Sequence, residues 1–426
     1  MVLQVMSNQK NFPYVDQQMC VESVSLAKIA QAVKTPFYCY SSAAIEQNYY
    51  EYEQAFIEQN ALICYAVKAN SNVAVLKTLA NLGAGMDVVS IGEIKRAIKA
   101  GVSPNKIVYS GVAKTKEEIE VALNLNILQF NVESEPELMS ISEVATQLNT
   151  TAAIALRINP DVEAKTHAKI TTGKSENKFG IPISKALAIY KIAASLPGIL
   201  IQGVDVHIGS QLTDLEPFRE TYIKIADLVC KLREEGHNIS IIDIGGGLGV
   251  DYGDGQSIPS KSDYGQLAKQ YLGQLGCRII VEPGRSMIAN AGVLVTSVIY
   301  LKKGEDRQFL ILDAAMNDFI RPSLYDASHD IFPLNYTRKK KEYYDIVGPV
   351  CETGDTFAKK KMLTSCKEGD LLSIMACGAY GAVMSSTYNT RRLIPEVLVK
   401  NTLFDVIRER TSYDDLINLD TVPTWC

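Results

Sequence analysis

From about residue 60 to residue 290, short apolar runs alternate with longer amphipathic stretches, and this restricts the fold of the 426-residue chain more than any other feature. The apolar runs lie at 62–67, 86–89, 107–109, 128–132, 153–158, 200–208, 239–244 and 278–281. They are rich in β-branched and aromatic residues, as strands buried on both faces require. Helical patterns separate them, for example at 73–82, 91–100 and 218–235. Gly83, Gly101 and Gly236 stand where such helices should stop. Strand and helix repeated about eight times predict an α/β fold, a parallel (β/α)8 barrel. The chain length alone suggests roughly two or three domains, but one such barrel uses about 250 residues.

Beyond about residue 290 the pattern becomes short strands at 293–301, 308–312, 343–347 and 371–375, with no long helix between most of them. That predicts a C-terminal antiparallel β domain. Thr35-Pro-Phe-Tyr-Cys-Tyr40 is strand-like, lies outside the barrel repeat and is expected to join that sheet. The expected boundaries are 42–287 for the barrel, and 1–41 with 288–426 for the β domain.

Composition removes several classes. Lys plus Arg is 43 and Asp plus Glu is 48, a net charge of -5, which argues against a dedicated nucleic-acid surface. The basic run 339–341 reads as a solvated hairpin tip. Nine scattered cysteines form no C-x-x-C, and His167, His207, His237 and His329 are too dispersed for a metal site. The cysteines read as reduced thiols of a cytoplasmic protein. The first twenty residues lack a signal-peptide pattern, and no apolar run approaches the ~20 residues of a membrane span.

Barrel enzymes carry their chemistry at the C-terminal ends of strands. At those positions stand Lys68, Asp87, Arg157, His207, the triplet Gly245, Gly246 and Gly247, and Glu282-Pro-Gly-Arg285. Each has a bland explanation taken alone: a solvated lysine, a structural imidazole, a tight turn, an Asp87–Arg157 ion pair. Together they suit pyridoxal phosphate. A lysine desolvated in an apolar mouth is expected to have a lowered amine pKa, favouring imine formation. Consecutive glycines let backbone N–H groups approach a phosphate. A carboxylate such as Glu282 keeps a pyridine nitrogen protonated, and His207 can lie against the ring. Gly245, Gly247 and Val250 do not complete a dinucleotide fingerprint. Gly173-Lys174-Ser175 lacks its P-loop partner, because Ala168 occupies the place of the first glycine.

The same residues resemble one family closely. The chain is similar over nearly its whole length to the diaminopimelate decarboxylases, of the alanine-racemase-like, fold type III pyridoxal-phosphate enzymes. The resemblance rests on Tyr65-Ala-Val-Lys-Ala-Asn70, Asn177-Lys-Phe-Gly-Ile181, His207-Ile-Gly-Ser-Gln211, Asp243-Ile-Gly-Gly-Gly247 and Glu282-Pro-Gly-Arg285. More discriminating are Met316-Asn-Asp-Phe-Ile-Arg321-Pro-Ser-Leu-Tyr325, Gly348-Pro-Val-Cys-Glu-Thr-Gly-Asp355 and Gly378-Ala-Tyr-Gly381. It implies decarboxylation of meso-2,6-diaminopimelate to L-lysine, the last step of bacterial-type lysine biosynthesis. It also implies that Lys68 holds the cofactor covalently and His207 stacks on it. Ser210, Gly245, Gly246, Gly247, Glu282, Pro283, Gly284, Arg285 and Tyr380 would bind it, with the glycines at the phosphate. Arg285, Arg321, Tyr325, Glu352 and Tyr380 would contact substrate, and Cys351 would donate the proton that replaces CO2. The Cys-Glu pair would come from the neighbouring subunit of a homodimer. The nearest rivals are decarboxylases of ornithine, arginine or carboxynorspermidine, for which a distal-carboxylate reader such as Arg321 is idle. A racemase on the same barrel, or an inactive homologue, fits less well with Lys68 and Cys351-Glu352 all present.

Overall fold

The computed structural model describes residues 10–163, 178–253, 255–337 and 340–426. Asn177, Gly173-Lys174-Ser175, His167 and Lys339 therefore lie outside the described residues. The chain divides into two compact units. One comprises Glu46–Val250 with Ser257–Met287; the other comprises the residues up to Ile45, Asp251–Gln256 and Ile288–Cys426.

The first unit is a closed barrel. Its eight parallel strands, in order around the ring, are Leu62–Ala66, Gly85–Val88, Ile107–Tyr109, Gln129–Val132, Ala152–Asn159, Ile199–Asp205, Ile241–Asp243 and Arg278–Val281. The last pairs with the first, Ile280 beside Leu62, so no edge is left open. Strands such as Leu62–Ala66 are buried at every residue, as a layer with side chains inside and helices outside demands. Several connecting helices start on side-chain caps. Ser90 Oγ accepts from Glu93 N at the head of Ile91–Lys99, and Thr115 and Glu118 form a capping box on Lys116–Asn124. Three of the connecting helices stop at glycines in the left-handed region, Gly83 at φ 99°, Gly101 at 86° and Gly236 at 92°, and two at asparagines, Asn126 and Asn149, both at 52°.

The second unit is built on one twisted sheet. Its strands lie in the order Thr356–Thr364, Lys341–Val347, Gln308–Leu312, Gly292–Lys303, Phe37–Ser41, Glu396–Lys400 and Leu403–Arg408. Leu371–Ile374 also pairs with Gly292–Lys303. Phe37–Ser41 thus joins this sheet, as expected. The pairing is mostly antiparallel, with two exceptions: Gln308–Leu312 runs parallel to Lys341–Val347, and Glu396–Lys400 parallel to Phe37–Ser41. Both parallel joints link segments separated by more than 25 residues, so the long connection that a parallel pair needs is present. Phe37, Cys39, Val293, Val295, Val397 and Val399 pack beneath the sheet against Leu26 and Ile29 of the helix Leu26–Val33. Lys340 and Lys341 are exposed at the start of Lys341–Val347. No helix among the described residues is long and apolar enough to cross a membrane.

Candidate active site

The barrel strands end in a ring of charge. Lys68 sits on the one-turn helix Val67–Ala69, directly after the first strand. The turn is held from below, since Tyr65 Oη donates to Asn70 O at 3.1 Å. Asn70 Oδ1 accepts from Asn72 N, and Asn72 Oδ1 caps the next helix at Ala74 N. Lys68 Nζ lies 2.5 Å from Asp87 Oδ2 at the end of the second strand. The lysine side chain is 37% exposed and the carboxylate fully buried. The surroundings expected for Lys68 were apolar, but a buried carboxylate meets its amine instead. The suggested Asp87–Arg157 pair is likewise replaced. Arg157 Nη1 donates to Glu133 Oε1 at 2.7 Å, its guanidinium lies over the Phe179 ring, and Asp205 is 4.0 Å from Nε.

Three further strands supply carboxylates to the floor. Oxygens of Asp205, Asp243 and Glu282 lie within 4.8 Å of one another, all buried. Asn131 Nδ2 donates to Asp243 Oδ2 at 3.1 Å and reaches Glu282 Oε1 at 3.5 Å. Desolvation and mutual repulsion push Asp205 and Glu282 well above the usual carboxylate range, and Asp243 to about 6. Such a floor favours a cation. Asp205 Oδ1 and Asp87 Oδ1 are buried acceptors without a hydrogen bond among the described residues. A cationic ring nitrogen set against Glu282 would relieve the repulsion, so the residues fit a pyridoxal ring.

His207 is neutral. Gly246 N donates to its Nδ1 at 3.2 Å, and burial with the nearby Arg157 and Lys68 charges holds its pKa well below the usual value. An uncharged imidazole suits contact with a ring face. The glycine triplet is needed first by the chain itself. A Cβ on Gly245 would fall 2.6 Å from Val206 O, on Gly246 2.1 Å from Glu282 O, and on Gly247 2.6 Å from Gly209 O. Gly245 N is already bonded to Asp243 Oδ1 and Gly246 N to His207. Gly247 N meets no acceptor among the described residues, so a phosphate at this turn would find one amide there rather than three. Ser210 Oγ accepts from Arg285 Nε at 3.3 Å and Nη2 at 3.1 Å, which ties two expected ligands to each other. Glu282, Pro283, Gly284 and Arg285 are all buried.

The β unit carries the remaining residues. Arg321 and Tyr325 begin and end the short helix Arg321–Tyr325. Arg321 is buried, with Nη1 2.9 Å from His329 Nε2 and its guanidinium 4.6 Å from the Tyr252 ring centre. Cys351 and Glu352 are exposed on a turn tied down by Asp355. The Asp355 carboxylate accepts from Val350 N and Met316 N, both at 2.7 Å, and Asp355 N donates to Glu352 O. Gly348 is required here, since a Cβ would lie 2.3 Å from Asp355 Oδ2. Cys351 N donates to Asn389 Oδ1. Tyr380 is half-buried and adopts φ 55°.

Reading the sequence missed Asn131, Glu133 and Asp205, and set His329 aside. A signal for the first existed: Gln129 and Asn131 are polar residues two apart in an otherwise apolar strand, which places both on one face.

Comparison with known proteins identifies the family. Residues 42–289 match the family model described as pyridoxal-dependent decarboxylase, pyridoxal binding domain. The chain is 47% identical to the diaminopimelate decarboxylase of Zymomonas mobilis, covering 96% of this chain and 97% of that one. It is 48% identical to that of Vibrio cholerae over the same shares. Among solved structures, diaminopimelate decarboxylase from Helicobacter pylori complexed with L-lysine superposes with a TM-score of 0.89 at 45% identity, covering 92% of this chain and 98% of that one. The M. jannaschii enzyme in co-complex with L-lysine gives 0.94 at 38%, covering 98% and 99%.

Proposed function

The chain belongs to the diaminopimelate decarboxylases, and we propose on that premise how its own residues carry out the reaction. It is a pyridoxal-phosphate-dependent carboxy-lyase that converts meso-2,6-diaminopimelate to L-lysine and CO2. The observation that carries the assignment of roles is Lys68 on Asp87 beside a buried carboxylate floor. Bound pyridoxal phosphate supplies an aldehyde for the substrate amine and a cationic ring that takes up the electron pair left by departing CO2.

Lys68 Nζ would hold that aldehyde between turnovers, and Glu282 the ring nitrogen. Asp87 keeps the amine oriented when it is free. His207, Ser210, Pro283, Gly284 and Tyr380 remain our assignments to the cofactor, and Gly247 N is the amide of the triplet that would be left for its phosphate. Arg321 reads the distal carboxylate through its planar pair of N–H donors, and Glu352 pairs with the distal ammonium. Arg285, Tyr325 and Tyr380 complete the substrate contacts. Cys351 Sγ–H gives the proton to the α-carbon, a general-acid step commonly worth about 10²–10⁴-fold. The exposure of Cys351 and Glu352 in a single chain supports a homodimer in which the partner subunit's Cys351 and the partner subunit's Glu352 complete each site. Nine cysteines, none of them in a disulfide, support a cytoplasmic setting.

The test is CO2 release matched one for one by L-lysine from meso-diaminopimelate. Release from ornithine or arginine in preference would overturn the substrate reading.

A further inference from the structure

His329 is almost wholly buried (2% exposed), and the reaction as assigned gives it nothing to do. Its surroundings fix its protonation. Nδ1 lies 2.8 Å from Met375 O, a carbonyl that only accepts, so Nδ1 carries the hydrogen. Nε2 lies 2.9 Å from Arg321 Nη1, and a guanidinium only donates, so Nε2 is a bare lone pair. The ring is wedged edge-on between Tyr252 and Phe319, with centroids 4.9 and 4.8 Å away. The Tyr252 face also lies 4.6 Å from the Arg321 guanidinium carbon. Arg321 is itself only 6% exposed. Its guanidinium therefore has one edge bonded to an imidazole nitrogen and one face on an aromatic ring.

We propose that His329 is a positioning residue for Arg321: a neutral imidazole that sets the angle of the guanidinium and so the selectivity for substrates bearing a distal carboxylate. The inference rests on the reading of Arg321 as the carboxylate's partner. A carboxylate at this position would have suited ion pairing better, but it would compete with the substrate for the same N–H groups. An uncharged acceptor orients the fork without consuming its charge.

The test uses the holoenzyme and two competitive inhibitors that differ by the carboxylate, L-lysine and 1,5-diaminopentane. Arg321→Leu should abolish the preference for L-lysine. His329→Asn keeps a donor toward Met375 O but loses the acceptor at the Nε2 position. It should reduce the preference about tenfold, the upper range for one hydrogen bond, acting mainly through KM rather than kcat. His329→Gln places an acceptor near the Nε2 position and should stay within about threefold of wild type. If Arg321→Leu keeps the preference, the carboxylate reading and this inference fall together. If Arg321→Leu loses it while His329→Asn does not, the inference alone fails. Cofactor absorbance and the melting temperature of each variant separate these outcomes from misfolding. Nitrogen NMR of ring-labelled wild-type holoenzyme needs no variant: His329 should be neutral with the hydrogen on Nδ1, and an imidazolium or Nε2–H form would overturn the proposal.

Discussion

Lys68 and Cys351 are both carried on short turns, yet the turns are built differently. The Lys68 turn follows a fully buried strand, and its amine is met by Asp87 of the same unit. The Cys351 turn is also bonded within its unit, through Asp355, but Cys351 and Glu352 are exposed in the single chain. The first arrangement is complete within one unit. The second leaves its two side chains exposed, and the proposed shared site would have the partner subunit cover them.

The largest effect should come from breaking both halves separately. Lys68→Ala and Cys351→Ala should each abolish CO2 release by several orders of magnitude. Mixed and reassembled, the two dead variants should regain up to about one quarter of wild-type activity, because half of the dimers are hybrids with one intact site each. If each subunit used its own cysteine, mixing would restore nothing. Next in size, Cys351→Ser should lower kcat about 10²–10⁴-fold with cofactor absorbance unchanged, as expected for loss of a general acid. Loss of absorbance would instead place Cys351 among the cofactor ligands.

Glu352→Ala sharpens the contrast through its magnitude. Left exposed, a carboxylate–ammonium pair is worth at most about 1 kcal/mol, so kcat/KM would fall less than about fivefold. Covered by a partner and dry, the loss should reach about 3–5 kcal/mol, a hundredfold or more. Steady-state kinetics on meso-diaminopimelate decides between them.

The smallest effect concerns stability. Folding raises the pKa of Asp243 to about 6 and those of Glu282 and Asp205 further above their ordinary values. The folded, cofactor-free chain then holds protons that the unfolded chain releases. This contribution is fully present below the unfolded carboxylate range, about 4, and is lost as pH rises through the folded values. Cofactor-stripped protein should therefore melt lower at pH 8 than at pH 5, and the holoenzyme should be less affected. Glu282→Gln should recover part of the loss, a few degrees at about 2–4 °C per kcal/mol, while weakening cofactor retention. Identical pH slopes for the two forms would contradict the floor's role as a cation site.

Much of this was legible before the structure. The barrel strands stand out because burial on both faces leaves unbroken apolar runs, and Gly83, Gly101 and Gly236 mark helix ends by a conformation other residues avoid. What reading along the chain could not supply is what each polar group meets across the ring. Asp205 lies beside both Asp243 and Arg157 in register, and that adjacency exists only once the strands pair. His329 was discounted because it has no histidine neighbour in sequence. Its partners Arg321, Tyr252 and Met375 come from three separate segments. The glycine triplet was read for the space it opens, whereas the chain fills most of that space itself.

The strand Phe37–Ser41 is flanked by Gly292–Lys303 on one side and Glu396–Lys400 on the other. A ribosome emits those neighbours roughly 250 and 350 residues later, so this early ribbon must wait, unzipped and greasy, through most of translation. The barrel strands can pair among themselves in the meantime. Stop codons near the end of the message should therefore harm the nascent chain at its beginning, leaving an open sheet edge for chaperones or other chains to seize.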